Sequence, residues 1–310
     1  MIDSKRPVRL QLPCPPPSEK GAWGDFYFGQ SLATALERQG HPVYLSFQRR
    51  GDSLMERWAH FRQVRSESFP DDCIDLILRG KRYAPPKSDR PALLWLISQS
   101  DTFGEREAKQ YAHIFVASEK FLPLVRSMNS AAELLLQCTD PAHFHPAGEP
   151  SEPSVVFVGN RKKTEPRPVV EASVGAGFDV KVWGQNWDKV AGVTYMGRHV
   201  PNSELGSVYG SARVVLNDHR AGMREHHFAS NRVFDVLATG RPVVTERMDG
   251  IPDELHGGIY MYDGQNDVGR AVKEALDADE GELQRISQIV RERYSFDDRA
   301  RIISDVITKI

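Results

Sequence analysis

The chain has 310 residues, 40% of them hydrophobic, which exceeds one ordinary α/β core and suits two domains of about 150 residues each. Charged residues make up 26% and nearly cancel, leaving a net charge of -2 that excludes a global field for holding nucleic acid or an acidic membrane surface. The cysteines, Cys14, Cys73 and Cys138, stand far apart with no paired spacing, which argues against a disulfide framework or a zinc site and for a reducing compartment.

Residues 1–17 carry charges and five prolines but no apolar signal core, and the longest apolar run, 92–97, is far too short to span a bilayer. The expectation is a cytoplasmic protein with at most peripheral membrane association. Short β-rich runs then alternate with helical patterns, the signature of βαβ units with parallel sheets. In the first half the predicted strands are 8–12, 42–47, 74–78, 92–97, 114–117 and 133–137. Between the first two, residues 25–39 place Phe28, Leu32, Ala35 and Leu36 on one helical stripe, with Gly40 as the stop.

The pattern dies over 140–153, where DPAHFHPAGEPSEP carries four prolines without periodicity, so an interdomain linker and a boundary at 147/148 are predicted there. Strands resume at 154–158, 180–183, 193–196, 213–217, 242–245 and 259–262. Residues 296–310 read as an amphipathic helix that either crosses back onto the first domain or caps the second.

Three segments could carry chemistry. In FASNRVFDVLATGRPVVT, Ser230 suits an N-cap, 231–239 a short helix, Gly240 its stop and 242–245 a buried strand. Free N–H groups at such a helix start suit a diphosphate, with Asn231 and Asp235 one turn apart and the Asp235 carboxylate placed near the surface to accept from ribose hydroxyls. The alternative is a capped surface helix with an incidental acid. After the strand at 154–158, Gly159, Asn160, Arg161, Lys162, Lys163 and Arg167 crowd a strand-to-helix loop where phosphates bind in open α/β sheets; Arg161 and Arg167 can each grip two oxygens. Its alternative is a solvated basic turn. In Gly21-Ala22-Trp23-Gly24 the glycines permit close backbone approach to a ligand, and Asp25 is either a catalytic candidate or simply a helix cap; the loop is not a G-x-G-x-x-G fingerprint.

His219, His226 and His227 lie within LNDHRAGMREHH beside Asp218, without the spacing of a helical metal site. Hydrogen bonding near a sugar phosphate, or a solvated loop, is the expectation for them, and no metal is expected.

The segments GDFYFGQSLATALERQGHPV, LLWLISQSD, HIFVAS, VFVGN, YMGRHVPNSELGSVYGSARVVLND and SNRVFDVLATGRPVV together resemble the GT-B glycosyltransferases, within them the bacterial spore-maturation type of the group 1 enzymes. The resemblance covers nearly the whole chain. It implies an α/β fold of two Rossmann-like domains with parallel sheets facing across a cleft, the acceptor mainly on the first and the nucleotide sugar on the second. It implies a metal-independent hexosyltransferase with no cofactor, a UDP- or GDP-type donor, and a glycan, lipid-linked or small-molecule acceptor, in polysaccharide, glycoconjugate or secondary-metabolite glycosylation. Asp235 carries over as the ribose ligand, Gly197, Arg198, His199 and Val200 as the backbone around the base, and residues 160–167 as the diphosphate loop, with Arg161 stabilising the leaving group.

Where the family has E-x7-E, this chain has H-x7-D, with His227 in the place of the first acid. His227 is therefore a catalytic candidate by position. The family pattern favours retaining over inverting stereochemistry, and the departure leaves both open. Rival readings are a nucleotide-sugar epimerase of the same fold, which would need an acid and a base around the sugar, and a non-catalytic nucleotide-sugar-binding protein.

Overall fold

Among the described residues twelve strands form where β-branched and leucine-rich runs are bounded by turn residues, and each overlaps a predicted one. The computed structural model describes residues 5–18, 21–47, 69–80, 86, 90–146, 154–162 and 166–310. Lys163 and residues 147–153 of the predicted linker lie outside the described residues.

The first sheet comprises β1 (Val8–Leu12), β2 (Val43–Phe47), β3 (Ile74–Arg79), β4 (Ala92–Leu96), β5 (His113–Val116) and β6 (Ala132–Leu134), in the order β2-β1-β3-β4-β5-β6. Every pair is parallel. Strands β3 and β4 are buried along their whole length, as expected of a parallel sheet covered on both faces. Helix α1 (Gly24–Arg38) lays Phe28, Leu32, Ala35 and Leu36 inward, and Gly40 at φ +90° ends it as the sequence predicts. A side chain at Gly29 would meet Leu12 at 2.2 Å, so the glycine lets α1 lie close on β1. Two short helices follow, α2 (Glu105–Ala108) and α3 (Leu122–Met128).

The second sheet comprises β7 (Val155–Val158), β8 (Val180–Trp183), β9 (Val193–Gly197), β10 (Val214–Leu216), β11 (Val243–Glu246) and β12 (Ile259–Tyr262), again all parallel, in the order β12-β11-β10-β7-β8-β9. The order reverses between β7 and β10, the topological switch point at which such sheets take ligands. Its helices are α4 (Pro168–Gly175), α5 (Asn202–Gly210), α6 (Ala221–Glu225), α7 (Asn231–Ala238), α8 (Val268–Leu276) and α9 (Glu280–Arg293). Val169 and Val170 of α4 and Val268, Ala271 and Val272 of α8 pack on Val155, Phe157 and Val182 of the sheet.

The chain divides into two units, one of residues Met1–Leu136, Glu225–Phe228 and Phe296–Ile310, the other of Gln137–Arg224 and Ala229–Ser295. The division after Leu136 precedes the proline-rich stretch. The last helix, α10 (Phe296–Ile307), belongs to the first unit, where Phe296 meets Phe28 edge-on with ring centroids 4.8 Å apart. Ser304 of α10 sits between Lys5 Nζ and His41 Nε2, each 2.9 Å from its hydroxyl, and Arg299 Nε donates to the Leu136 carbonyl at 2.8 Å. Among the described residues no helix is long and apolar enough to cross a membrane.

Candidate functional site

At the switch point of the second sheet, the loops after β7, β8, β10 and β11 and the start of α7 bring polar groups together. The loop after β7 is stapled to the loop after β8. Gly159 N–H donates to the Trp183 carbonyl at 2.8 Å, Trp187 Nε1 donates to the Gly159 carbonyl at 2.7 Å, and Arg161 N–H donates to the Gln185 carbonyl at 3.0 Å. Asn160 Oδ1 accepts from Gln185 N–H at 2.8 Å, so its side chain shapes the loop. These bonds fix the backbone of 159–161 before any ligand arrives.

Arg167 is held by two acceptors: its Nε donates to the Asn160 carbonyl at 3.0 Å, and its Nη1 pairs with Asp218 at 2.7 Å. Its guanidinium lies 5.6 Å from the centroid of the Phe157 ring, and that of Arg232, from the first turn of α7, lies 5.5 Å from the same ring. Arg232 Nη1 also donates to Asn217 Oδ1 at 3.3 Å. Two cations thus converge on one ring at the carboxyl end of β7. Burial raises the Asp218 carboxyl above its ordinary value, against the lowering pull of Arg167 and Arg232. Arg161 lies to one side and pairs with Glu171 at 3.1 Å, while its Nε is buried without a hydrogen-bond partner among the described residues.

Helix α7 departs from its expected role. Ser230 has extended backbone at the cap position, but its hydroxyl does not cap the helix; it donates to Asn217 Oδ1 at 3.4 Å. Ser230 N–H donates to His219 Nε2 at 3.0 Å, and Asn231 N–H to Gln137 Oε1 at 3.0 Å. The N–H groups of Ser230 and Asn231 are thus engaged by side chains, and Arg232 adds positive charge at the same helix start.

Asp235 requires a further correction. It is 4% exposed rather than near the surface, with Oδ1 accepting from Thr139 Oγ1 at 2.7 Å and Oδ2 from Asn231 Nδ2 at 2.9 Å. Burial pushes its carboxyl up to about 8, although the hydrogen bond from Thr139, the charge of Arg232 and the hydrogen bond from Asn231 all pull it down. The cause is tertiary: Val233, Phe234, Val236 and Leu237 beside it are buried as well, so α7 is enclosed around most of its girth.

Gly197 ends the edge strand β9 at φ +150° and accepts from Gly184 N–H at 2.9 Å; Arg198 and His199 beyond it are exposed and Val200 half-buried. Asp25 lies in the first turn of α1, one residue inside the helix start, so the cap position belongs to Trp23. His227 belongs to the first unit and has left-handed backbone at φ 54°, uncommon for a residue with a side chain. His226, also of the first unit, places Nδ1 2.8 Å from Ser100 Oγ and its ring 4.6 Å from that of Phe121. His219 belongs to the second unit. Among the described residues no group of three or more histidine, cysteine, aspartate or glutamate side chains is disposed to hold a metal ion.

Sequence reasoning passed over Arg232, Asn217, Glu246, Gln137 and Thr139. For Arg232 a signal was available: a cation in the first turn opposes the helix dipole, so its presence there calls for another use.

Residues 163–305, just under half of the chain, match the family model described as Glycosyl transferase-like. No curated protein matches the chain. Among solved structures, sucrose-phosphate synthase from Thermosynechococcus elongatus is similar at 14% identity, covering 98% of this chain and 99% of that one, with a TM-score of 0.65. AviGT4, a glycosyltransferase involved in avilamycin A biosynthesis, is similar at 16% identity, covering 98% and 97%, with a TM-score of 0.65. Anabaena HepE, solved in complex with UDP and glucose, is similar at 10% identity, covering 98% and 99%, with a TM-score of 0.64. The chain has the GT-B fold of these structures, and its second half carries a glycosyl transferase-like sequence.

Proposed function

We propose that the protein is a glycosyltransferase that takes a hexose from a nucleotide-sugar donor, and that its second unit binds the donor at the β7–β10 switch point. The observation that carries this reading is the pair of guanidiniums, Arg167 and Arg232, over the Phe157 ring beside the stapled 159–161 loop. Such a pair is preorganised to neutralise a diphosphate as it departs, when its charge is greatest. Arg161 and Asn160 complete that loop, the backbone at Gly197, Arg198, His199 and Val200 lies by the base, and Ser230 and Asn231 border the ribose. Asp235 acts from beneath, fixing Asn231. Asp25 and His227 belong to acceptor handling on the first unit. The narrower kinship with spore-maturation enzymes, transfer with retention and a cytoplasmic setting belong to the same proposal. That HepE was solved with UDP and glucose makes UDP-glucose the first donor to try. The histidine at position 227 favours, as a second reading, a nucleotide-sugar-binding protein without turnover.

Calorimetric titration with UDP, GDP, ADP, CMP and dTDP tests the donor site. One diphosphate is expected to bind, and Arg167→Ala and Arg232→Ala are each expected to weaken it about tenfold, the size of one charge-assisted contact, with a smaller loss for the monophosphate. Failure of every nucleotide to bind, or unchanged affinity in both variants, would remove the assignment. With a donor in hand, sugar release or transfer is expected to persist in EDTA, because the arginines carry the charge a divalent ion would otherwise meet. Turnover abolished by EDTA and restored by magnesium would reverse that expectation.

A further inference from the structure

His219 is buried beside the arginine pair, and the donors around it define its state. Its side chain is 0% exposed. Nε2 faces the Ser230 N–H at 3.0 Å and the Asn217 amide nitrogen at 3.2 Å. A backbone N–H can only donate, so Nε2 must present its lone pair. The ring proton is then on Nδ1, which donates to Glu246 Oε2 at 3.1 Å, while the other oxygen of Glu246 accepts the backbone N–H of His219 at 2.9 Å. Both Glu246 oxygens thus accept from His219, one from the ring and one from the backbone, as this tautomer requires.

We propose that His219 is a positioning residue of the donor site: its Nε2 lone pair anchors Ser230 N–H and thereby sets the start of α7 and the reach of Arg232. The proposal rests on the reading of Arg232 as a donor contact. The link is short, because Arg232 is two residues beyond Ser230, and Asn217, whose amide meets Nε2, also accepts from both Ser230 Oγ and Arg232. A proton on Nε2 would set two donors against each other and release the helix start. The charged and titratable groups around the ring are Glu246 with Arg224 at 3.7 Å, Asp218 with Arg167, Arg232, and Tyr262, which adjoins Glu246 and Asp218.

Nitrogen-15 NMR of histidine-labelled whole protein at neutral pH reads the tautomer directly, with Nδ1–H expected for His219; an Nε2–H tautomer or an imidazolium would overturn the proposal. Inorganic pyrophosphate, which needs no base, then probes the arginines. H219L is expected to bind it about tenfold more weakly than the parent, the factor for one ordinary hydrogen bond, and H219Q, whose amide oxygen can take the place of Nε2, to recover most of that loss. H219L folded and binding like the parent, or H219Q binding no better than H219L, would sink the positioning role with the donor site intact. A parent protein that does not bind pyrophosphate would instead bring down the donor site itself, whatever the tautomer.

Discussion

Asp235→Asn is expected to leave the protein folded and to make it more stable than the parent at neutral pH. The Asp235 carboxyl is raised to about 8 in the folded protein, first of all by burial. In the unfolded chain it would titrate near about 3.9. Between those values the folded state binds the proton that the unfolded state has released. The stability associated with this group is therefore complete below pH ~4 and declines as pH rises through the folded value, at about 1.4 kcal/mol per unit. By pH 7 the loss is on the order of 4 kcal/mol. Asparagine has the shape of the protonated acid: its amide oxygen can accept from Asn231 Nδ2 and its amide nitrogen can donate to the Thr139 hydroxyl, and it has no proton to lose. Urea unfolding at several values from pH 5 to 8 should show the parent weakening and the variant overtaking it. Equal slopes in the two proteins would show that the carboxyl is not raised by folding, and a variant that fails to fold would show that the carboxylate is needed in its charged form.

Gly184→Ala is expected to cost on the order of 3 kcal/mol and to weaken diphosphate binding along with it, because strain and a backbone clash coincide there. Gly184 has φ +141°, and a Cβ would lie 2.2 Å from the Gly159 carbonyl oxygen and 3.1 Å from Asn160 N. Neither neighbour is a flexible side-chain end. Relief must come from moving the 159–161 loop, whose Asn160 carbonyl positions Arg167. Gly175→Ala in the same unit, where a Cβ would have no neighbour within 4 Å, serves as the control and is expected to be near neutral. Denaturant titration and calorimetry with the chosen nucleotide measure both effects. A Gly184 variant as stable as the Gly175 control would show that the loop yields without cost.

Strand positions were legible locally, since runs such as 8–12 and 180–183 carry their β preference and their turn boundaries in adjacent residues. The same holds for α1, whose Phe28, Leu32 and Leu36 stripe and Gly40 stop are neighbours in the chain. The loop at 159–161 was placed correctly at the end of a strand because topology alone puts ligand loops there. What the sequence by itself determined was therefore the α/β alternation and the segments in which a site could form.

Only the tertiary structure decided what those residues do. Asp235 reads as a reachable acid until Thr139, 96 positions earlier, closes on it. Ser230 reads as a cap until His219 and Asn217 take its amide and its hydroxyl. Arg167 and Arg232 are 65 positions apart and meet only because β7 lies beside β10 and Phe157 lies beneath both guanidiniums. Periodicity records which face of an element is apolar, but burial of a carboxylate, the tautomer of a histidine and the convergence of two cations depend on partners that only long-range packing supplies.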